Sequence, residues 1–133
     1  MITHKIHVGL STTYEKVITP ADSYITKSVQ IENLMSTPAL LSTVIEISWN
    51  MLKPYIPSDC ITVVNDFKSS HFQPTMVGEK VVFKMTVDNV NNNRITMSFS
   101  GFDDKGEICI GTLDKVIVVK DKLIEDAVKR VRL

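Results

Sequence analysis

A chain of 133 residues, 44% apolar and 23% charged, is long enough for one ordinary domain with its own core and is unlike a disordered tail or a fibrous protein. Fifteen Lys and Arg balance fifteen Asp and Glu, so no net field draws it to nucleic acid or to an anionic membrane. The longest apolar runs, such as Val116–Val119, are far too short to span a bilayer, and "MITHKIHVGLSTTY" lacks the apolar core of a signal peptide.

The first element, Lys5 to Thr19, has the β-branched enrichment of a strand, with Gly9 as a point where it can bend and Pro20 as its stop. "ADSYITKSVQIENLM" carries mixed signals and is compatible with a short helix, a strand fragment or a lid-like loop. Thr37 followed by Pro38 reads as a helix start: the hydroxyl caps orphan amides, and an early proline sacrifices no intrahelical bond. Pro54 ends this helix near Lys53. Its apolar residues, from Ala39, Leu40 and Leu41 to Met51 and Leu52, populate nearly every face, which predicts an enclosed helix.

Strands follow in succession. The first is "CITVVNDFKSSHF", Cys60 to Phe72, after which Pro74 and Gly78 punctuate the chain. In "EKVVFKMTVD" Val81, Phe83, Met85 and Val87 alternate with Lys80, Lys84 and Thr86, and in "RITMSFSGF" Ile95, Met97 and Phe99 alternate with Thr96, Ser98 and Ser100. "NVNNNR" is the turn between them, and "DDKG" is the turn before "EICIGTLDKVIVVK", so the sheet is antiparallel. "DKLIEDAVKRVRL" closes the chain as a short, weakly held helix. Cys60 and Cys109 sit in apolar stretches with neither a CxxC pair nor a zinc spacing, which predicts reduced core thiols and a cytoplasmic protein. No repeat or long linker divides residues 1–133, so the expectation is a single α+β domain: about five antiparallel strands wrapped around one long central helix.

Read along the chain, "STPALL" at the helix start, a Glu near the helix middle, "HFQPTMVGEKVVF" leading into a strand and "DDKGEICIGTLDKVIV" late in the chain resemble the hotdog-fold thioesterases of the fluoroacetyl-CoA thioesterase-like family. The resemblance covers roughly residues 35–120. It implies a hotdog fold and a homodimer formed through the sheet, with sites at the subunit interface. It also implies a catalytic set of a Thr at the helix start, a Glu within the helix and a His seven residues before a Gly. Thr37, Glu46 and His71 take those places, His71 preceding Gly78 by seven. Two departures stand out. Thr37 and Glu46 are nine positions apart where the family has eight, which turns Glu46 by a further 100° or so if both are helical. Either the turn at Thr37-Pro38 absorbs this, since a capping residue is not itself helical, or Ser42, on the face of Glu46, is the nearer hydroxyl. In "GTLDK", Leu113 and Lys115 replace a His and an Arg common in the family.

The chemistry that this implies is thioester hydrolysis. Backbone amides around Thr37, Pro38 and Ala39 at the helix N-terminus, with Ser42 and Gly78 nearby, are the candidate substrate-binding residues, placed to meet a developing oxyanion. Glu46 would act as base or nucleophile, and His71 would orient water, share a proton or protonate the leaving thiolate. Lys68, Lys80, Arg94 and Lys115 are candidates for CoA's phosphates, and Val44, Ile45 and Trp49 for the acyl end. Each residue also has an ordinary structural explanation: Thr37 as a helix cap, Glu46 at a gap in packing, His71 as a strand histidine. No GxSxG elbow, phosphate loop or metal-ligand cluster is present, so no metal and no cofactor beyond a CoA thioester as substrate are expected. The expected function is an acyl-CoA thioesterase acting on a small acyl group; the alternative is a non-catalytic acyl-CoA or small-ligand binding module. Neither nucleic acid nor membrane is an expected partner.

Overall fold

The computed structural model describes residues 2–25 and 30–132. Irregular chain leads to β1 (Ser11–Val17), a single 3-10 turn (Pro20–Asp22) and two short strands, β2 (Ser23–Ile25) and β3 (Gln30–Met35). These pair with each other, which makes strands of Ser23–Ile25 and Gln30–Met35 in the stretch that the sequence left open; residues 26–29 of that stretch lie outside the described residues. Helix α1 (Thr37–Leu52) is followed by β4 (Cys60–His71), β5 (Lys80–Asn91), β6 (Arg94–Asp103), β7 (Gly106–Val119) and α2 (Lys120–Arg132). Five strands form one antiparallel sheet in the order β1-β5-β6-β7-β4, so that β1 and β4 are its two edges.

The alternation seen in the sequence sets the faces. Val81, Phe83, Met85 and Val87 of β5, Ile95, Met97 and Phe99 of β6, and Leu113 and Ile117 of β7 are buried. They join Leu40, Val44, Ile47, Met51 and Leu52 of α1 in one apolar core. The N-terminal strand is shorter than expected. It starts at Ser11, because Gly9 takes a positive φ of 93° and turns the chain, while Ile6 before it is tucked into the core. Asn92, at φ 57°, and Gly106, at φ 134°, make the two hairpin turns read from the sequence. Gly111 of β7 lies between Ser69 of β4 and Phe99 of β6: a Cβ there would strike the Lys68 carbonyl and the Phe99 ring.

Helix α1 is not enclosed. Its buried residues form one stripe, Leu40, Val44, Ile47, Ser48, Met51 and Leu52, and its opposite side carries exposed Ser42, Glu46 and Asn50, with Ile45 37% exposed. Apolar residues on several faces therefore outnumber those that the sheet covers. Helix α2 has no buried residue at all. Both cysteines are free and buried. Among the described residues no helix is long and apolar enough to cross a membrane, and no group of three or more His, Cys, Asp or Glu is placed to hold a metal ion.

Candidate active site

The start of α1 differs from its sequence reading in one respect that matters. Ser36, not Thr37, is the N-cap: its backbone is extended and its Oγ accepts the Ala39 amide at 3.1 Å. Thr37 is the first helical residue and Pro38 the second. Relieved of capping, the Thr37 side chain lies on the same side of the helix as the buried stripe and reaches β4. There its Oγ1 lies 2.9 Å from Nδ1 of His71, the last residue of the strand. Ser36 also changes what the helix end offers an oxyanion, since Pro38 has no N–H and the Ala39 amide is committed to the cap.

His71 is half-buried. Burial pushes its pKa below the ordinary imidazole value, with the nearby Gln73 backbone opposing the shift. The imidazole is therefore neutral near pH 7, and in the tautomer that leaves Nδ1 unprotonated the Thr37 hydroxyl donates to it. Nε2 is buried and has no hydrogen-bond partner among the described residues. A hydroxyl held on an uncharged imidazole is the arrangement of a nucleophile with its base.

Glu46 is elsewhere. Nine helical residues turn through about 900°, which leaves it half a turn from Thr37, and because Thr37 is itself helical no flexible cap absorbs the extra position. An eight-residue step leads instead to Ile45. Glu46 borders a groove of about 370 Å³ with Ala39, Ser42 and Asn50 of α1, Asp22, and Tyr14 and Lys16 of β1. That groove is on the β1 side of the sheet, whereas His71 is on β4, the opposite edge. Within the groove Lys16 pairs with Asp22 at 3.3 Å. Burial would raise the Asp22 pKa, but hydrogen bonds from the Thr19 backbone and hydroxyl, with Lys16 beside it, hold the carboxyl below its usual range. Of the expected binding residues, Ala39 and Ser42 thus join Glu46. Pro38 is exposed beside Thr37, and Gly78 makes a turn at φ 96° with its N–H donating to the Ile18 carbonyl at 2.8 Å.

Lys115 is not available to a phosphate. It is 1% exposed beneath α1, and its Nζ donates to Ser48 Oγ at 2.8 Å, while Ser48 donates to the Ile45 carbonyl at 2.6 Å. Burial pushes the Lys115 pKa down to about 8, with the charge of Glu46 pulling the other way. Leu113, two residues before it, is simply core. The cap at Ser36 was legible, since Ser is as good a cap as Thr; the β1 contribution to the groove and the burial of Lys115 depend on which strands become neighbours, and nothing local in the sequence signals them.

The family model of fluoroacetyl-CoA-specific thioesterases matches residues 18–121. No curated protein matches the sequence. Among solved structures, a hot-dog-like protein from Thermanaerovibrio acidaminovorans is similar at TM-score 0.84 and 27% identity over 92% of this chain and 91% of that one. A thioesterase superfamily member from Thermus thermophilus is similar at TM-score 0.84 and 17% identity over 96% and 94%. A variant of a fluoroacetyl-CoA-specific thioesterase, in complex with fluoroacetate and CoA, is similar at TM-score 0.82 and 17% identity over 89% and 99%. The sheet order and central helix are those of the hotdog fold, and the family match spans every strand of the large sheet except β1. The chain belongs to the fluoroacetyl-CoA-specific thioesterase family and is a thioester hydrolase of the hotdog fold.

Proposed function

We propose that this protein hydrolyses short acyl-CoA thioesters to the free acid and CoA, with Thr37 and His71 as the reacting pair. The observation that carries this reading is the 2.9 Å contact between Thr37 Oγ1 and His71 Nδ1 at the N-terminus of α1, whose dipole favours developing negative charge. His71, neutral through burial, takes the hydroxyl proton as Thr37 Oγ1 adds to the thioester carbonyl. The adduct collapses with cleavage of the C–S bond, and His71 passes the proton to the leaving thiolate. Water, deprotonated by the same imidazole, then cleaves the acyl–Thr37 ester, and the proton returns to the Thr37 oxygen. Glu46 is given no step in this sequence; within its own subunit it borders the groove on the β1 side of the sheet.

A CoA carrier and a short acyl group are supported by the fluoroacetate and CoA bound to the related thioesterase. Exposed Lys68, Lys80 and Arg94 are the candidate phosphate partners. Residues 1–133 act as one hotdog domain, and a homodimer forms along the free edge of β4, a twelve-residue strand with Val64 exposed on it. Two unpaired buried cysteines support a cytoplasmic setting. The test is thiol release from a panel of short, halogenated, aromatic and long acyl-CoAs. Turnover of a short acyl-CoA that falls by about a hundredfold in His71→Ala, with the circular dichroism unchanged, supports the reading. Tight binding with no turnover by the unmodified chain would overturn it in favour of a binding module.

A further inference from the structure

Helix α2 lies almost wholly beyond the stretch shared with the family, which ends at residue 121. All thirteen of its residues are exposed. It leaves the sheet at the foot of β4, where the Lys120 amide donates to the Asp59 carbonyl at 3.0 Å, and so stands at the end of its own sheet opposite Thr37 and His71. Along it Leu123, Ile124, Ala127, Val128 and Val131 fall within one stripe about 140° wide. Ile124 is 52% and Val131 86% exposed. A lone helix of this length is marginal in water, so a helix with a continuous apolar stripe and no tertiary cover lacks the usual source of helix stability.

Charge along α2 indicates what covers the stripe. Its first two turns hold every acid, Asp121, Glu125 and Asp126, beside Lys120 and Lys122, while the charges of its last turn are purely basic, Lys129, Arg130 and Arg132. Within the helix Lys122 pairs with Asp126 at 2.6 Å and Lys129 with Glu125 at 3.0 Å. A parallel neighbour of the same sequence would set the two basic last turns against each other; an antiparallel one sets each of them beside the half that holds all the acids. With the axis of symmetry between Ala127 and Val128, Ile124 meets Val131 of the other copy and Ala127 meets its Val128. Asp126 then lies beside Arg130 of that copy. Asp126, Arg130, Leu123, Ala127 and Val131 already border one shallow groove on the helix, with Asp126 and Arg130 as its charged members. We propose that α2 is a self-association element, packing antiparallel against α2 of a second copy of this chain through the Ile124–Val131 stripe, with Asp126 and Arg130 exchanged across the axis.

This contact is independent of the catalytic reading and of pairing along β4, and it doubles the mass of whatever unit the sheet edge makes. Sedimentation equilibrium or light scattering on the full chain tests it. Ile124→Lys with Val128→Lys is expected to halve the mass. Asp126→Arg and Arg130→Asp are each expected to weaken assembly at least tenfold, and the two together, restoring complementary pairs, to recover it. Circular dichroism of each variant shows whether the sheet is intact. A mass indifferent to the lysine substitutions, or charge reversals whose combination fails to recover assembly in a folded protein, would overturn the proposal. So would a chain whose α2 partitions onto anionic vesicles without self-associating.

Discussion

Thr37 and His71, thirty-four residues apart in sequence, meet at 2.9 Å because Ser36 takes over the capping of α1 and leaves the neighbouring hydroxyl unoccupied. One residue's difference in where the helix begins decides whether Thr37 faces its own backbone or a histidine on the sheet edge. Thr37→Val and His71→Ala are each expected to lower kcat by about two to four orders of magnitude, and the double variant to be little worse than either, because the two act as a unit. Thr37→Ser should retain most of the rate. Steady-state thiol release decides, and full additivity of the two losses would count against a shared step.

The acid limb of kcat/KM should reflect His71. A base must be unprotonated, and burial lowers its pKa below the ordinary 6.5, so activity rises with pH through a midpoint below 6.5 and is level above it. A midpoint above 6.5 would mean that the protonated imidazole is favoured in the site, contrary to its burial.

Glu46→Gln should change kcat by less than about tenfold, against a loss of ~100-fold or more at His71. Its carboxylate sits on the β1 side of the sheet with Tyr14, Lys16 and Asn50. A rate loss comparable to that of His71→Ala would place Glu46, of the same or of a second subunit, in the relay.

Lys115 gives stability a distinctive alkaline dependence. Folded, it releases its proton at about pH 8, against an ordinary 10.5. Below pH 8 both folded and unfolded chains hold the proton and the cost of burying the charge is in full force. Between these values the folded chain binds fewer protons, so this residue's contribution to stability improves as pH rises. Lys115→Met should therefore gain most over the unmodified protein below pH 8, with the advantage shrinking toward pH 10.5. Urea midpoints across this range give the difference directly, and an advantage that grows with pH would refute it.

Gly111→Ala should destabilise far more than a strand glycine ordinarily would, by about 2 kcal/mol or more, because the added methyl meets the Lys68 carbonyl and the Phe99 ring at the β4–β7 contact. Thermal unfolding measures this, and a change under about 0.5 kcal/mol would show that the two strands can part there at little cost.

Much of the fold was legible because β5, β6 and β7 alternate cleanly and their turns carry Asn92 and Gly106 where a positive φ is needed. The family resemblance named Thr37, Glu46 and His71, and the meeting of Thr37 with His71 follows from the sheet that the alternation builds. What the sequence did not disclose is long-range. Helix α1 carries enough apolar residues to suggest enclosure, yet the sheet covers one stripe only. Lys115 looks like a surface cation in "GTLDK", and only the inward register of β7 shows that it is buried against Ser48. Glu46 drew attention as a charge in an apolar helix, and the phase of that helix puts it on the open side.

The strand order carries a consequence for how the chain acquires its structure. Strands β1 and β4 are made before β5 and β7, the strands on which each depends for hydrogen bonds, so neither edge can be templated as it leaves the ribosome. The β5–β6–β7 meander consists of consecutive hairpins with short loops, and its closures are the entropically cheap ones. A nucleus in residues 80–119, onto which α1 and the two waiting edges condense last, is the kinetic order that this topology favours. The Thr37–His71 pair, which joins α1 to an edge strand, would then be among the final contacts made, and hydrolytic competence would report completion of folding rather than its onset.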